Sequence, residues 1–284
     1  MSSLATTRTM TLSPGRSRML GNTFLKTLRD QRISGSIWLA GMLAITAYVV
    51  FLFPVIAEQA EALNELIENL PEALLALAGG VIDYSTLNGF LAAEFFSVFC
   101  PIIFLVYAVI HGSGTIAGEE ERGTLALLLA NPVSRTKVIL HKAAALVVAL
   151  MAGSLTLWLG LIAWAGIAGI EIGAWKLAQG CASIGLLGIF FALLSLAGGA
   201  ATGRRGISSG IALGAGVATY LVNAFAPLVS WLEPGRLATP FYYYGGGDPV
   251  LNGLNMLHAG VLVGASIVLL AYSVWAFERR DLTR

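Results

Sequence analysis

Apolar runs of about twenty residues alternate along the chain with short polar connections. A helix needs about 20 mostly apolar residues to cross a hydrocarbon core of ~30 Å. Six runs meet that requirement, near 36–57, 90–112, 141–164, 176–200, 207–230 and 256–277. The pattern predicts an all-α integral membrane protein with six transmembrane helices. Residues 1–35 read as a polar tail leading into the first span, and residues 36–284 as one six-span domain. In the lead-in, Leu20, Phe24 and Leu28 recur every four residues while Lys26, Arg29 and Arg32 take other faces. That spacing fits an amphipathic helix lying in the headgroup layer, and it equally fits a basic flank that only fixes topology. The basic region runs to Arg32 and no small-x-small exit follows the first apolar run, so this span is expected to be retained and not cleaved as a signal.

Composition agrees with the pattern. The chain is 57% hydrophobic and 12% charged, with a mean hydropathy of +0.79, whereas soluble domains carry about 25% charged residues. The cations fix an orientation. Arg8, Arg16, Arg18, Lys26, Arg29 and Arg32 precede span 1, and Arg122, Arg135, Lys137 and Lys142 lie between or beside spans 2 and 3. Arg204 and Arg205 join spans 4 and 5, Arg279, Arg280 and Arg284 follow span 6, and only Lys176 and Arg236 fall on the other side. By the positive-inside rule both termini and the 118–135 segment are expected in the cytoplasm.

On the outer side, Glu58, Glu61, Glu65, Glu68 and Glu72 interleave with Leu63, Leu66, Ile67, Leu70 and Leu74. An amphipathic helix is expected over 58–78, with Pro71 as a kink or boundary. The last outer loop carries Phe241, Tyr242, Tyr243 and Tyr244, which suit an interface belt or the lining of a substrate exit. Cys100 and Cys181 fall inside spans and read as small buried hydrophobes, with no disulfide framework. His111, His141 and His258 sit near span ends without metal-ligand spacing, so no metal site is expected. Glu94 is the exceptional intramembrane charge, about one turn inside span 2, and suits snorkelling or a hydrogen bond.

The connection between spans 2 and 3 is more elaborate than a loop requires. Glu119, Glu120 and Glu121 fall in a first helical turn, where negative charge complements the exposed amides. Leu125, Leu128 and Leu129 then form one apolar face, and Pro132 after Asn131 ends the helix. Ser134 stands where a cap for the next helix belongs, with Arg135, Lys137 and Lys142 as interfacial anchors.

The stretch Gly118-Glu-Glu-Glu-Arg-Gly-Thr-Leu, followed by Pro132-Val-Ser-Arg135 and set between the second and third of six spans, resembles the type-2 ABC transporter permeases. The likeness extends in layout over nearly the whole chain. It implies that the segment near 118–130 is a cytosolic coupling helix, with Glu119, Glu120, Glu121, Arg122, Gly123, Thr124 and Leu125 placed against a separate ATPase subunit. It also implies a second permease copy or a similar permease as partner, export, and a bacterial inner membrane.

No ATPase is legible in the chain itself. The nearest phosphate-loop match, Gly198 to Arg205, lacks both the lysine and the following hydroxyl that hold phosphate and magnesium, and it ends a span. ATP and Mg are therefore expected on the partner, with no catalytic residue here and membrane lipid, not nucleic acid, as the surroundings. Gly206, Gly210 and Gly214, and likewise Gly260 and Gly264, recur every four residues and mark helix-packing faces, within one subunit or between two. The uncharged spans suit a hydrophobic or amphipathic cargo. Two alternatives stay open: a stand-alone secondary transporter or channel, and a mechanotransmitting subunit that moves no cargo.

Overall fold

The computed structural model describes residues 23–69, 71, 74, 84–130 and 133–281. Leu20, most of 70–83, and Asn131 with Pro132 thus lie outside the described residues. Among the described residues six helices are long and apolar enough to cross a membrane: Thr23–Ala57, Leu87–Thr115, Arg135–Ala168, Ala174–Thr202, Arg205–Leu228 and Met256–Arg279. These are spans 1 to 6, each containing or closely matching an expected apolar run. No strand occurs among the described residues.

Span 1 departs from the expected division at residue 35. It is one unbroken helix of 35 residues, about 52 Å long at 1.5 Å per residue, so its first turns extend past a ~30 Å core. No separate surface helix exists over 23–35. The Ser34 and Ser36 hydroxyls donate back to the carbonyls of Gln31 (3.0 Å) and Arg32 (2.7 Å), which seats both serines on the helix without a break.

Span 4 forms the centre. In its most apolar window 78% of residues are buried, against 22% for span 5 and 28% for spans 1 and 6. Small residues permit this, because a Cβ on Gly112 would sit 2.6 Å from the Ala192 carbonyl oxygen of span 4. Serines bind the helices where no water is available: Ser195 donates to the Val109 carbonyl (3.3 Å) and Ser208 to the Ser195 carbonyl (2.5 Å). The glycines of the expected packing faces behave otherwise. Among the described residues, a Cβ at Gly206, Gly210, Gly214, Gly260 or Gly264 would meet nothing within 4 Å, so no other described helix packs closely there. The i, i+4 spacing records small size on one face and does not say which neighbour uses it.

Span 2 contains a π-helical stretch, Leu91–Phe99, in which the Cys100 amide reaches back to the Phe95 carbonyl. In that register the Phe96 carbonyl would wait for the amide of residue 101, which is Pro101 and has none. The gap is filled from the far end of the chain. A short helix, Pro240–Gly245, is capped by Thr239, which accepts from the Tyr242 amide (3.2 Å). It brings the Tyr244 hydroxyl to the Phe96 carbonyl at 2.6 Å. Phe241 and Tyr244 are buried, so these two aromatics enter the bundle and do not line its surface as a belt. Glu94 accepts from the Tyr84 hydroxyl at 2.5 Å; burial raises that phenol well above its ordinary value, and the adjacent carboxylate adds to the rise. Of the acidic helix expected over 58–78, the described residues show Ala60–Glu68, and most of its second half lies outside them.

Candidate functional site at the cation-rich end

The segment between spans 2 and 3 is two short helices, not the single one expected over 118–130. Ala117–Glu121 follows directly on span 2, and Thr124–Leu129 starts after a break. The break is Gly123, whose φ of 70° is left-handed and favours a residue without Cβ. Its amide donates to the Glu120 carbonyl (2.9 Å), and the Thr124 hydroxyl donates to the Glu119 carbonyl (3.1 Å). Ser134 caps span 3 as its position predicts, accepting from the Lys137 amide at 3.3 Å.

The three glutamates each hold a different helix. Glu119, 8% exposed, pairs with Lys142 of span 3 at 2.9 Å and with Lys26 of span 1 at 3.8 Å. Glu120 pairs with Arg280 just beyond span 6. Glu121 accepts the Arg205 amide at 2.8 Å, capping the free N-terminal amides of span 5 as a carboxylate does best. Arg135 closes the ring by donating to the carbonyls of Phe277 (3.0 Å) and Arg280 (2.7 Å) at the end of span 6, and Thr136 bonds Glu278. The ends of spans 1, 3, 5 and 6 are thereby fastened to the one segment that continues span 2.

Lys142 is the correction that matters most. Its sequence position suggests an interfacial anchor, yet the side chain is 1% exposed. Its ammonium satisfies itself on Glu119 and on the Thr115 carbonyl at 2.6 Å, as a buried charge must. Beside it lies a polar cavity of about 230 Å³ between the start of span 1 and the end of span 2, into which Asp30, Gln31, His111 and Arg205 also face.

Of the seven residues expected against a partner, the structure turns Glu119 and Leu125 inward, ties up Glu120, and seats the Thr124 hydroxyl on backbone. Glu121, Arg122 and Gly123 remain exposed. Leu125 and Leu128 pack at 2% and 6% exposure while Leu127 between them is 72% exposed. The outward face of the segment is therefore Arg122, Gly123, Ala126, Leu127 and Ala130. Sequence reading missed the pairings of Lys26, Lys142, Arg205 and Arg280, which it takes as topology markers or interfacial anchors. Three consecutive carboxylates among cation-bearing span ends were the available signal.

A six-span helical bundle with cations gathered at one end, where an acidic segment joins the spans, defines a multi-pass membrane protein. The family model described as ABC-2 family transporter protein matches residues 22–282, and the chain belongs to that family. A comparison with curated proteins finds no match.

Proposed function

We propose that the chain is the permease subunit of an ATP-driven exporter, whose separate ATPase docks on the outward face of the 117–129 segment from the cytoplasmic side. What carries the reading is the ring of contacts made by Glu119, Glu120 and Glu121. A push on a free loop would dissipate, whereas here the pushed element is ion-paired or hydrogen-bonded to four other spans and continuous with a fifth. ATP and magnesium belong to the partner, and their binding closes the ATPase pair; the segment moves, and spans 1, 3, 5 and 6 follow.

The docking face is narrower than the sequence motif. Arg122 and Gly123 keep their place in it, Ala126, Leu127 and Ala130 join it, and Glu119, Glu120 and Leu125 act behind it. A second permease, identical or similar, covers the glycine faces of spans 5 and 6, where a Cβ would meet nothing among the described residues. The cargo is hydrophobic or amphipathic, and the membrane is a bacterial inner membrane with both termini cytoplasmic.

The test is ATPase activity of the permease co-purified with its candidate ATPase. Arg122→Glu with Leu127→Glu is expected to weaken association by about tenfold or more, the size of a typical interface hot spot. Glu120→Gln is expected to leave association intact and to reduce permease-dependent hydrolysis. Unchanged association in the double variant would overturn the docking assignment and favour a stand-alone transporter.

A further inference from the structure

At the opposite end of the bundle a second cavity, of about 330 Å³, lies between the π-helical stretch of span 2, the end of span 5 and the Pro240–Gly245 helix. That volume is within the ~300–1,000 Å³ usual for small-ligand sites. Its walls are aromatic, supplied by Phe96, Tyr220, Phe241 and Tyr244. The walls are fastened: Tyr244 is bonded to the Phe96 carbonyl, and Ser183 donates to the Tyr244 carbonyl at 2.9 Å.

Two opposite charges share this cavity without meeting. Arg236 lies over the Tyr242 ring at 5.3 Å and donates to Asn223 at 3.3 Å. Asp248 stands at the exposed rim, on a left-handed backbone (φ 47°) held by its amide on the Gly245 carbonyl at 3.0 Å. Among the described residues neither takes part in an ion pair. Although Asp248 reaches solvent, the protein around it desolvates the carboxyl and raises its pKa above the ordinary value; a nearby cation would relieve this. A ligand carrying one charge would match one of these groups and leave the other beside it unmatched. A ligand carrying both matches both.

We propose that this cavity binds a zwitterionic amphiphile, with its anionic group at Arg236, its cationic group at Asp248 and its apolar part against Phe96, Tyr220 and Phe241. The proposal names a cargo class for the exporter reading and rests on it only for the word cargo; the site is a binding site whether or not an ATPase drives the chain. A zwitterionic membrane lipid and a diffusing zwitterionic compound present the same chemistry.

The test uses three probes with one chain length and different heads, hexylphosphocholine, hexyl phosphate and hexyltrimethylammonium. Their binding is measured by calorimetry, without nucleotide, to the full-length permease in phosphatidylglycerol nanodiscs. The zwitterion is expected to bind about tenfold tighter than either single-charge probe, a difference of about 1.4 kcal/mol. Asp248→Asn is expected to lower hexylphosphocholine to the affinity of hexyl phosphate, and Arg236→Gln to that of hexyltrimethylammonium. Asp248→Glu and Arg236→Lys keep the charges and are expected to preserve the order, which separates recognition from folding. Equal affinity for all three probes, no binding of any, or an order untouched by the neutral variants would overturn the proposal. Weaker hexylphosphocholine binding in phosphatidylcholine nanodiscs identifies a resident lipid as the occupant, and equal binding in the two identifies a diffusing compound. The ATPase docking variants leave these affinities unchanged, so loss of the exporter reading and loss of this site read out separately.

Discussion

At the scale of single residues, the buried pair of Lys142 and Glu119 carries the largest consequences. Removing one partner leaves the other buried without its main counter-charge, a situation that costs about 3–5 kcal/mol. Glu119→Gln and Lys142→Met are each expected to lower thermal stability of the purified permease. The double reversal, Glu119→Lys with Lys142→Glu, is expected to recover part of the loss, which a double-mutant cycle would measure; additive losses would mean the two charges do not interact. Tyr244→Phe removes the hydroxyl that donates to the Phe96 carbonyl, where Pro101 has no amide to offer, and is expected to cost about 1–3 kcal/mol by chemical or thermal unfolding. The charged residues themselves were legible in the sequence as topology markers. Their pairings were not, because Lys26, Glu119 and Lys142 are brought together by the packing of three helices and share no local spacing. The cap at Ser134, by contrast, is a contact across three residues and was readable directly.

At the scale of elements, the spans were legible because membrane crossing imposes a length and an apolarity that any window reveals. Their interruptions were partly legible. Gly123 stands in the docking motif, yet sequence alone did not show that it breaks the segment in two. Its left-handed backbone predicts that Gly123→Val costs about 1–2 kcal/mol locally and straightens the turn between Glu121 and Thr124. The expected outcome is a permease that folds but stimulates hydrolysis poorly even at saturating partner, checked by ATPase activity. The π-helical stretch of span 2 was not anticipated, although Pro101 in mid-span marks where a regular ladder must fail. The aromatic run at 241–244 reads locally as a membrane belt. Long-range contacts turn two of its members inward, Tyr244 through its bonds to Phe96 and Ser183 and Phe241 through its ring contacts with Phe191 and Tyr220.

At the scale of the whole molecule, span 4 is enclosed while spans 1, 5 and 6 leave most of their apolar surface uncovered. Lipid can cover such a surface, yet a face of glycines at positions 206, 210 and 214 offers another backbone a close approach that lipid tails do not need. Gly210→Trp is accordingly expected to separate permease pairs in membranes, measured by single-molecule subunit counting, with the monomer still folded because no described residue lies within 4 Å of a Cβ there. Pairs that persist with unchanged stoichiometry would place the interface elsewhere. Family membership accounts for the permease layout, and the ring of helix ends around Glu119, Glu120 and Glu121 supplies a physical path by which one moving element carries the others.

The central claim is that the outward face of the 117–129 segment receives the ATPase. The most direct measurement is site-specific photocrosslinking in membranes, with a photoreactive side chain placed at Leu127 and, for contrast, at Trp231 at the opposite end. The account predicts an adduct with the candidate ATPase from position 127 that intensifies when ATP hydrolysis is blocked, and none from position 231. No adduct from position 127 in a membrane where the two proteins co-purify, or equal adducts from both positions, would contradict it.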